Sequence, residues 1–358
     1  MSDADQMRHA LVLARRALGR VAPNPAVGCV ILSEDGRIVG RGWTQTGGRP
    51  HAETVALEAA GDAARGGTAY VTLEPCAHLG QTPPCAEALV RAGVQRVVAA
   101  VEDPDPRVKG KGFAMLRRAG VDVTVGLLER EAVDLNAGFF LRIKDDRPLV
   151  TLKIAQSRDG KTIPPPDASR WITGEAALRF GHLLRAQHDA VMIGVGTAIA
   201  DDPELTCRLP GLKKRSPVRV VLDTHLRLPL AARLVRTARE IPTLVFTSVE
   251  GGDQLQAQGV EVLRVMHNEN GRPALRAILG VLAGRGCTRL LVEGGGTLWS
   301  EFLREGLGDR IEIFTAPADL GAGGAGAVPL LSKLGAAYMR IGERVLGPDR
   351  LESYAATA

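Results

Sequence analysis

Residues able to bind zinc stand in an ordered series in the first quarter of the chain. His51-Ala52-Glu53 is followed by Pro75-Cys76 and, after the eight residues AHLGQTPP, by Cys85. Two thiolates and one neutral imidazole make a three-ligand zinc site that keeps its fourth tetrahedral position for water, the layout of a catalytic centre. Glu53, two positions after His51, projects near such a metal without having to bind it. That suits a group moving a proton from water to a leaving amine. Histidine-x-glutamate, then proline-cysteine, then a second cysteine is the signature of zinc deaminases, although the usual form has only two residues between the cysteines. The longer loop here would form a wall at the mouth of the site. Each cysteine is expected to open a helix, where N-terminal N–H groups favour thiolate, and Pro75, Pro83 and Pro84 suit a first helical turn.

Other readings of the same residues are open. His78, two residues after Cys76, could supply a fourth ligand and close the site into a structural zinc. Alternatively, Cys76 and Cys85 are buried thiols and His51 a capping residue. A disulfide framework is disfavoured by an odd total of five cysteines and by the absence of a basic n-region and apolar h-region at the start of the sequence. No apolar run approaches the roughly 18 residues of a membrane span, so a cytoplasmic protein is expected, with Cys29, Cys207 and Cys287 as small core or loop residues. A net charge of +5 suits an anionic small molecule. With aromatics at 4 %, it does not make the basic, aromatic surface of a nucleic-acid binder. Self-association into a homo-oligomer is compatible with the sequence and not specified by it.

The elements that must position these residues follow from periodicity. An amphipathic helix opens the chain, and AVGCVILSEDGRIVGRGW reads as a hairpin turning at Asp35-Gly36. Strand and helix patterns then alternate through TAYVTLE, PPCAEALVRAG, VQRVVAAVED, GKGFAMLRRAG and VDVTVGLL. One helix, EREAVDLNAGFFLRIKDD, closes the series. The polar run Lys144–Pro148 marks a boundary. Beyond it come the β runs RPLVTLKIAQS, DAVMIGVG, VRVVLD, TLVFTS, VEVLRV, RLLVEGG and RIEIFTAP, with helices at EAALRFGHLLRAQ and PALRAILGVLAGRG. Two α/β domains are expected.

HAE and TLEPCAHLGQTPPC, preceded by APNPAVGCV, resemble the bacterial bifunctional riboflavin-biosynthesis deaminase/reductase family. In the second half TLKIAQSRDGKT, SRWITG, LLRAQHDAVMIGVGTAIADDPELTCRLPG and LLVEGGGTLWSEFL resemble successive motifs of that family's reductase domain. The resemblance implies a cytidine-deaminase-like three-layer domain over residues 1–147 and a dihydrofolate-reductase-like domain over 148–358. It implies hydrolytic deamination of a phosphorylated diaminopyrimidine, then NADPH-dependent reduction of its ribosyl group. His51, Cys76 and Cys85 would carry Zn2+, with Glu53 as proton donor and Asn24 touching the pyrimidine. Reductase substrate positions fall on Ser169, Arg185, Leu205, Arg208 and Glu293. NADPH positions fall on Ala155, Trp171, Thr197, Asp201, Thr224 and the stretch Gly295, Gly296, Thr297, Leu298, Trp299, Ser300 and Glu301.

Chemistry adds that Arg185 and Arg208 could grip a phosphate with forked hydrogen bonds. Gly294-Gly295-Gly296 before a helix could cradle a pyrophosphate. Neither this triplet nor GVGTAI completes the dinucleotide fingerprint G-x-G-x-x-G. Lys153 and Glu293 are candidates to protonate or polarise the sugar. Pro164-Pro165-Pro166 and Arg158 depart from the family pattern, which has small residues and an apolar residue there. A nucleoside or tRNA base deaminase with an appended binding domain would carry the short cysteine spacing and a concentrated basic face, and neither is present. A non-catalytic structural-zinc protein would hold metal but release no ammonia.

Overall fold

The computed structural model describes residues 2–77, 83–165, 169, 171–326 and 337–357. It divides into two compact units, Met1–Asp146 and Arg147–Ala358. The first begins with α1 (Asp3–Arg15), capped by Ser2 and Asp5 in a reciprocal capping box. Then follow β1 (Gly28–Leu32), β2 (Ile38–Trp43), α2 (Ala52–Ala60), β3 (Thr68–Val71), α3 (Cys85–Arg91), β4 (Arg96–Ala99), α4 (Lys111–Arg118), β5 (Asp122–Val125), α5 (Glu129–Leu135) and α6 (Ala137–Asp145).

The five strands are ordered β2-β1-β3-β4-β5. The β1 contacts are antiparallel and β3, β4 and β5 run parallel. Glycines show how this sheet is covered. A Cβ on Gly28 would meet the backbone of α1 at Ala10, whereas one on Gly40 or Gly42 would meet that of α2 at Ala56 or Ala52. Gly42 pairs with Cys29, and neighbouring residues of a strand face opposite sides. The two helices therefore lie on opposite faces, which makes three layers. The single closing helix expected from sequence breaks at Asn136 into α5 and α6. There the buried Asn136 amide accepts from Ala26 N–H at 2.9 Å and donates to Ala26 C=O at 3.0 Å.

The second unit contains β6 (Leu149–Gln156), α7 (Glu175–Ala186), β7 (Ala190–Gly194), α8 (Val195–Asp201), β8 (Val218–Leu222), α9 (Arg233–Arg236), β9 (Thr243–Thr247), α10 (Asp253–Ala257), β10 (Glu261–Arg264), α11 (Leu275–Gly284), β11 (Arg289–Val292), α12 (Gly296–Arg304), β12 (Arg310–Thr315), β13 (Tyr338–Leu346) and β14 (Asp349–Ala356). They build a nine-stranded sheet ordered β10-β9-β8-β7-β11-β6-β12-β14-β13. The strands are parallel from β10 to β12, and the closing hairpin is antiparallel.

Alternate residues of the central strands feed two cores. Leu152, Met192 and Phe246 join α11 and α12, while Val191, Ile193 and Val221 join α7 and α8. Both faces of the parallel sheet are thus buried. From β6 the chain winds outward through β7 to β10, then returns to insert β11 between β7 and β6. That reversal is where open α/β sheets place ligands, beyond the carboxyl ends of the strands.

Candidate active sites

In the first unit, three ligand atoms converge although their residues come from separate elements. His51 is the N-cap of α2, yet its side chain makes no capping bond; its Nδ1 lies 3.3 Å from Cys85 Sγ and 3.7 Å from Cys76 Sγ. All ligand atoms of the three residues lie within 4.8 Å of one another, and no disulfide joins the cysteines. Zinc–sulfur bonds of about 2.3 Å and zinc–nitrogen bonds of about 2.0–2.1 Å at tetrahedral angles place sulfur and nitrogen about 3.6 Å apart. The observed spacings bracket that value, so the donor set fits zinc.

Cys85 opens α3 as expected. Cys76 does not open a helix: it lies on the arm that leaves β3, and the next described helix starts at Cys85. Its sulfur draws on a helix N-terminus all the same, because the Cys85 N–H points at Cys76 Sγ at 3.3 Å. A hydrogen bond from the Cys85 thiol holds the Cys76 sulfur well below the ordinary thiol range, and Cys85 itself is pushed up. The hydrogen bond to Cys76 raises His51. Protons shared in this way are the ones a metal displaces. His78, the alternative fourth ligand, lies outside the described residues.

Glu53 sits in the first turn of α2, 3 % exposed. Burial pushes its carboxyl up to about 7, against the opposing charge of His51. A carboxyl near neutrality can both take and give a proton. Asn24 is half-buried on the loop clamped by Asn136, and its side chain packs directly against Gly48, where no Cβ would fit.

In the second unit a cavity of about 800 Å³ opens at the strand-order reversal. Lys153 and Ala155 of β6 form its floor, with Arg185 of α7, and with Thr197 and Asp201 of α8 on one side. Glu293 and Gly295 follow β11, and Trp299 of α12, Leu205, Arg208 and Trp171 complete the wall. Gly295 is the N-cap of α12, and a Cβ there would meet nothing closer than Thr197 Oγ1 at 3.8 Å. One at Gly196 would meet nothing within 4 Å. This open corner at the N-terminus of α12 has the chemistry of a pyrophosphate seat.

Of the remaining sequence candidates, Ser169 accepts a hydrogen bond from Trp171 N–H without lining the cavity. Thr224, Gly296, Thr297, Leu298, Ser300 and Glu301 also lie off its wall; Leu298 packs on the core and Glu301 pairs with Arg304. Alternate faces of α12 separate Trp299 from its neighbours. Pro164 and Pro165 line the cavity, whereas Pro166 is outside the described residues. Arg158 is exposed and paired with Asp319, and does not line the cavity.

The Arg185 fork is not left for a phosphate. Its Nε and Nη2 donate to the two Glu293 oxygens at 2.6 and 2.8 Å, and Nη1 donates to Thr206 C=O at 3.0 Å. A buried carboxylate took the fork because it needs a partner more than solvent-borne phosphate does. Burial lowers the Lys153 pKa against the pull of Glu293, and its ammonium lies over the Phe314 ring. Leu205 holds φ +55°, a left-handed conformation rare for leucine, in the turn that shapes the wall.

Known proteins agree with both halves. Residues 1–101 match the cytidine and deoxycytidylate deaminase zinc-binding region, and residues 148–337 match the RibD C-terminal domain. The riboflavin biosynthesis protein RibD of Aquifex aeolicus is 45 % identical over 90 % of this chain and 88 % of its own, and that of Escherichia coli strain K12 is 40 % identical over 98 % of each. The chain belongs to the RibD family. The Acinetobacter baumannii RibD structure (form 1) superposes with a TM-score of 0.87 at 38 % identity, covering 99 % of both chains. A Thermotoga maritima deaminase/reductase does so at 0.86 and 34 %, again covering 99 % of both.

As a RibD, this protein is a bifunctional deaminase and reductase of riboflavin biosynthesis, with a zinc-binding deaminase region and a reductase domain that implies a nicotinamide cofactor. Sequence reading missed Arg233 at the cavity rim, where it pairs with Asp202 and Glu204. It comes from the four-residue α9, too short for any periodicity to mark.

Proposed function

We propose that the first domain, residues 1–147, hydrolytically deaminates 2,5-diamino-6-(5-phosphoribosylamino)pyrimidin-4(3H)-one. The second, residues 148–358, then reduces the ribosyl group of 5-amino-6-(5-phosphoribosylamino)uracil to ribityl with NADPH. The observation that carries the reading is the convergence of His51, Cys76 and Cys85 beside a buried Glu53. The Thermotoga maritima relative is described as diaminohydroxyphosphoribosylaminopyrimidine deaminase/5-amino-6-(5-phosphoribosylamino)uracil reductase, which supplies the substrates.

His51, Cys76 and Cys85 would hold zinc, which would supply Lewis acidity and lower the pKa of a water toward neutrality. Glu53 takes a proton at its carboxyl and delivers it to the departing amino nitrogen. Asn24 orients the pyrimidine, and Gly48 leaves its side chain room. In the reductase cavity NADPH supplies hydride when bound. Gly295 and Thr197 would hold its pyrophosphate, with Ala155, Trp171, Asp201 and Trp299 as further cofactor positions.

Arg208, half-exposed at the rim, is the phosphate contact, with Ser169 and Leu205 on the substrate side. Arg185 fixes the Glu293 carboxylate. Lys153 lines the cavity with no hydrogen-bond acceptor among the described residues, and would donate a proton to the sugar. The test is sequential: ammonia release from the diaminopyrimidine by protein carrying one zinc per chain, then NADPH oxidation on the deaminated product. Zinc-loaded protein that released no ammonia would reject the deaminase assignment.

A further inference from the structure

Cys76 is carried on a short arm beyond β3, and alternate residues of that arm are tied to different parts of the unit. The Thr72 hydroxyl accepts from Gly28 N–H at 3.0 Å, and Cys76 Sγ accepts from Cys85 N–H. Between them, Glu74 is 3 % exposed and its backbone N–H donates to Val101 C=O at 2.9 Å. Its carboxylate takes four further backbone N–H groups: Asp103 and Gly110 on Oε2 at 3.2 and 2.9 Å, Gly112 and Phe113 on Oε1 at 2.8 and 3.3 Å.

Three of those donors are the N-cap and the second and third residues of α4, which begins after Gly110, a residue with no side chain to cap it. A helix start leaves such N–H groups without intrahelical partners. Here the cap arrives from 36 to 39 residues earlier in the chain, from the segment bearing a metal ligand. The approach is close: a Cβ on Gly112 would stand 2.0 Å from Pro75 C=O. Only a carboxylate offers two oxygens that both accept. A glutamine would turn an NH2 group toward two donors.

We propose that Glu74 is a positioning residue of the deaminase centre, joining the Cys76 arm, the 103–110 loop and the start of α4 into one rigid piece. Cys76 is then held at a fixed place relative to Cys85 and His51 by a carboxylate that touches neither metal nor substrate. This rests on the deaminase reading of the first domain.

The experiment is Glu74→Gln in the full-length protein, with Gly112→Ala as an independent variant that leaves the carboxylate intact and pushes α4 off Pro75. Misplacing a catalytic group by ~1 Å is worth on the order of 10²-fold. The ammonia-release kcat is therefore expected to fall by about tenfold to a hundredfold, with KM within about threefold because no substrate contact is removed. Zinc content and the reductase rate should stay at wild-type values. Tryptic cleavage after Arg107, Lys109 or Lys111 should accelerate as the loop detaches.

Wild-type kcat in a soluble Glu74→Gln protein, or loss of zinc and of both activities together, would overturn the proposal; the latter would make Glu74 a folding residue only. If Glu74→Gln does not accumulate, the same kcat and cleavage criteria apply to Gly112→Ala. Failure of the deaminase reading is distinguishable, since the wild-type protein itself would then release no ammonia.

Discussion

Removing the positive half of the Arg185–Glu293 pair should destabilise the second unit sharply, and removing both halves should not. The two side chains are 15 % and 11 % exposed and joined by bonds of 2.6 and 2.8 Å, so solvent screens them little. Arg185→Met strands a buried carboxylate, with Lys153 the strongest remaining positive charge acting on it. Breaking one partner of such a pair costs ~3–5 kcal/mol. For a unit of roughly 200 residues each kcal/mol moves the unfolding midpoint by ~2–4 °C, which gives a drop of about 6–20 °C. The double variant Arg185→Met/Glu293→Met replaces two charges with apolar groups of similar length and should lie within about 2 kcal/mol of wild type. Scanning calorimetry of the two singles and the double closes the cycle. Ammonia release by the first unit serves as the control for intact protein. A single variant within about 2 °C of wild type, or a double less stable than both singles, would refute the argument. All three variants should lose reductase turnover.

Glu53→Gln keeps the ligand set but loses the proton carrier, so metal analysis should find zinc retained while ammonia release falls by about 10²-fold or more; unchanged turnover would reject the role. Burial pushes the Glu293 carboxyl up, but the charge and hydrogen bonds of Arg185, helped by Lys153, leave it net below its ordinary range. The folded unit then binds fewer protons than the unfolded chain, so this stabilisation is present above the ordinary carboxylate pKa and is lost as pH falls through the lowered one. Urea midpoints from about pH 6 to about pH 3 should fall more steeply for wild type than for Glu293→Gln. Gly28→Ala places a Cβ 1.9 Å from Ala10 C=O and should destabilise the first unit by ~1–3 kcal/mol or more. Gly181→Ala in α7 meets nothing within 4 Å, and should be neutral or stabilise by ~0.4–1 kcal/mol in the same denaturation assay.

The convergence of His51, Cys76 and Cys85 was legible because the chemistry constrains both residue type and order, and the placing of Glu53 beside them because it follows His51 by two positions at the start of a helix. What escaped was the backbone setting of Cys76. A proline before a cysteine reads as a helix start, yet the cap that matters there is Glu74, acting on another helix. The central strands of the second unit were visible as apolar runs because both faces are buried. The closing β13–β14 hairpin was not. Nearly all of β13 is exposed, and cross-strand pairs such as Arg340–Glu352, together with Arg350–Glu343, replace the apolar alternation that marks a strand. The forked Arg185 was rightly seen as a bidentate group, but its partner, Glu293, lies 108 residues away, a distance over which no local pattern speaks.

The tie between Asn136 and Ala26 spans 110 residues. During synthesis the loop that bears Asn24 leaves the ribosome early, but its brace is encoded almost at the end of the first unit. Contacts so remote in sequence form late, because a long stretch of chain must be ordered before they close. The loop that bears Asn24 should therefore be among the last parts of that unit to set. A nascent chain cut just before Asn136 would carry His51, Cys76 and Cys85 and still lack the brace of that loop.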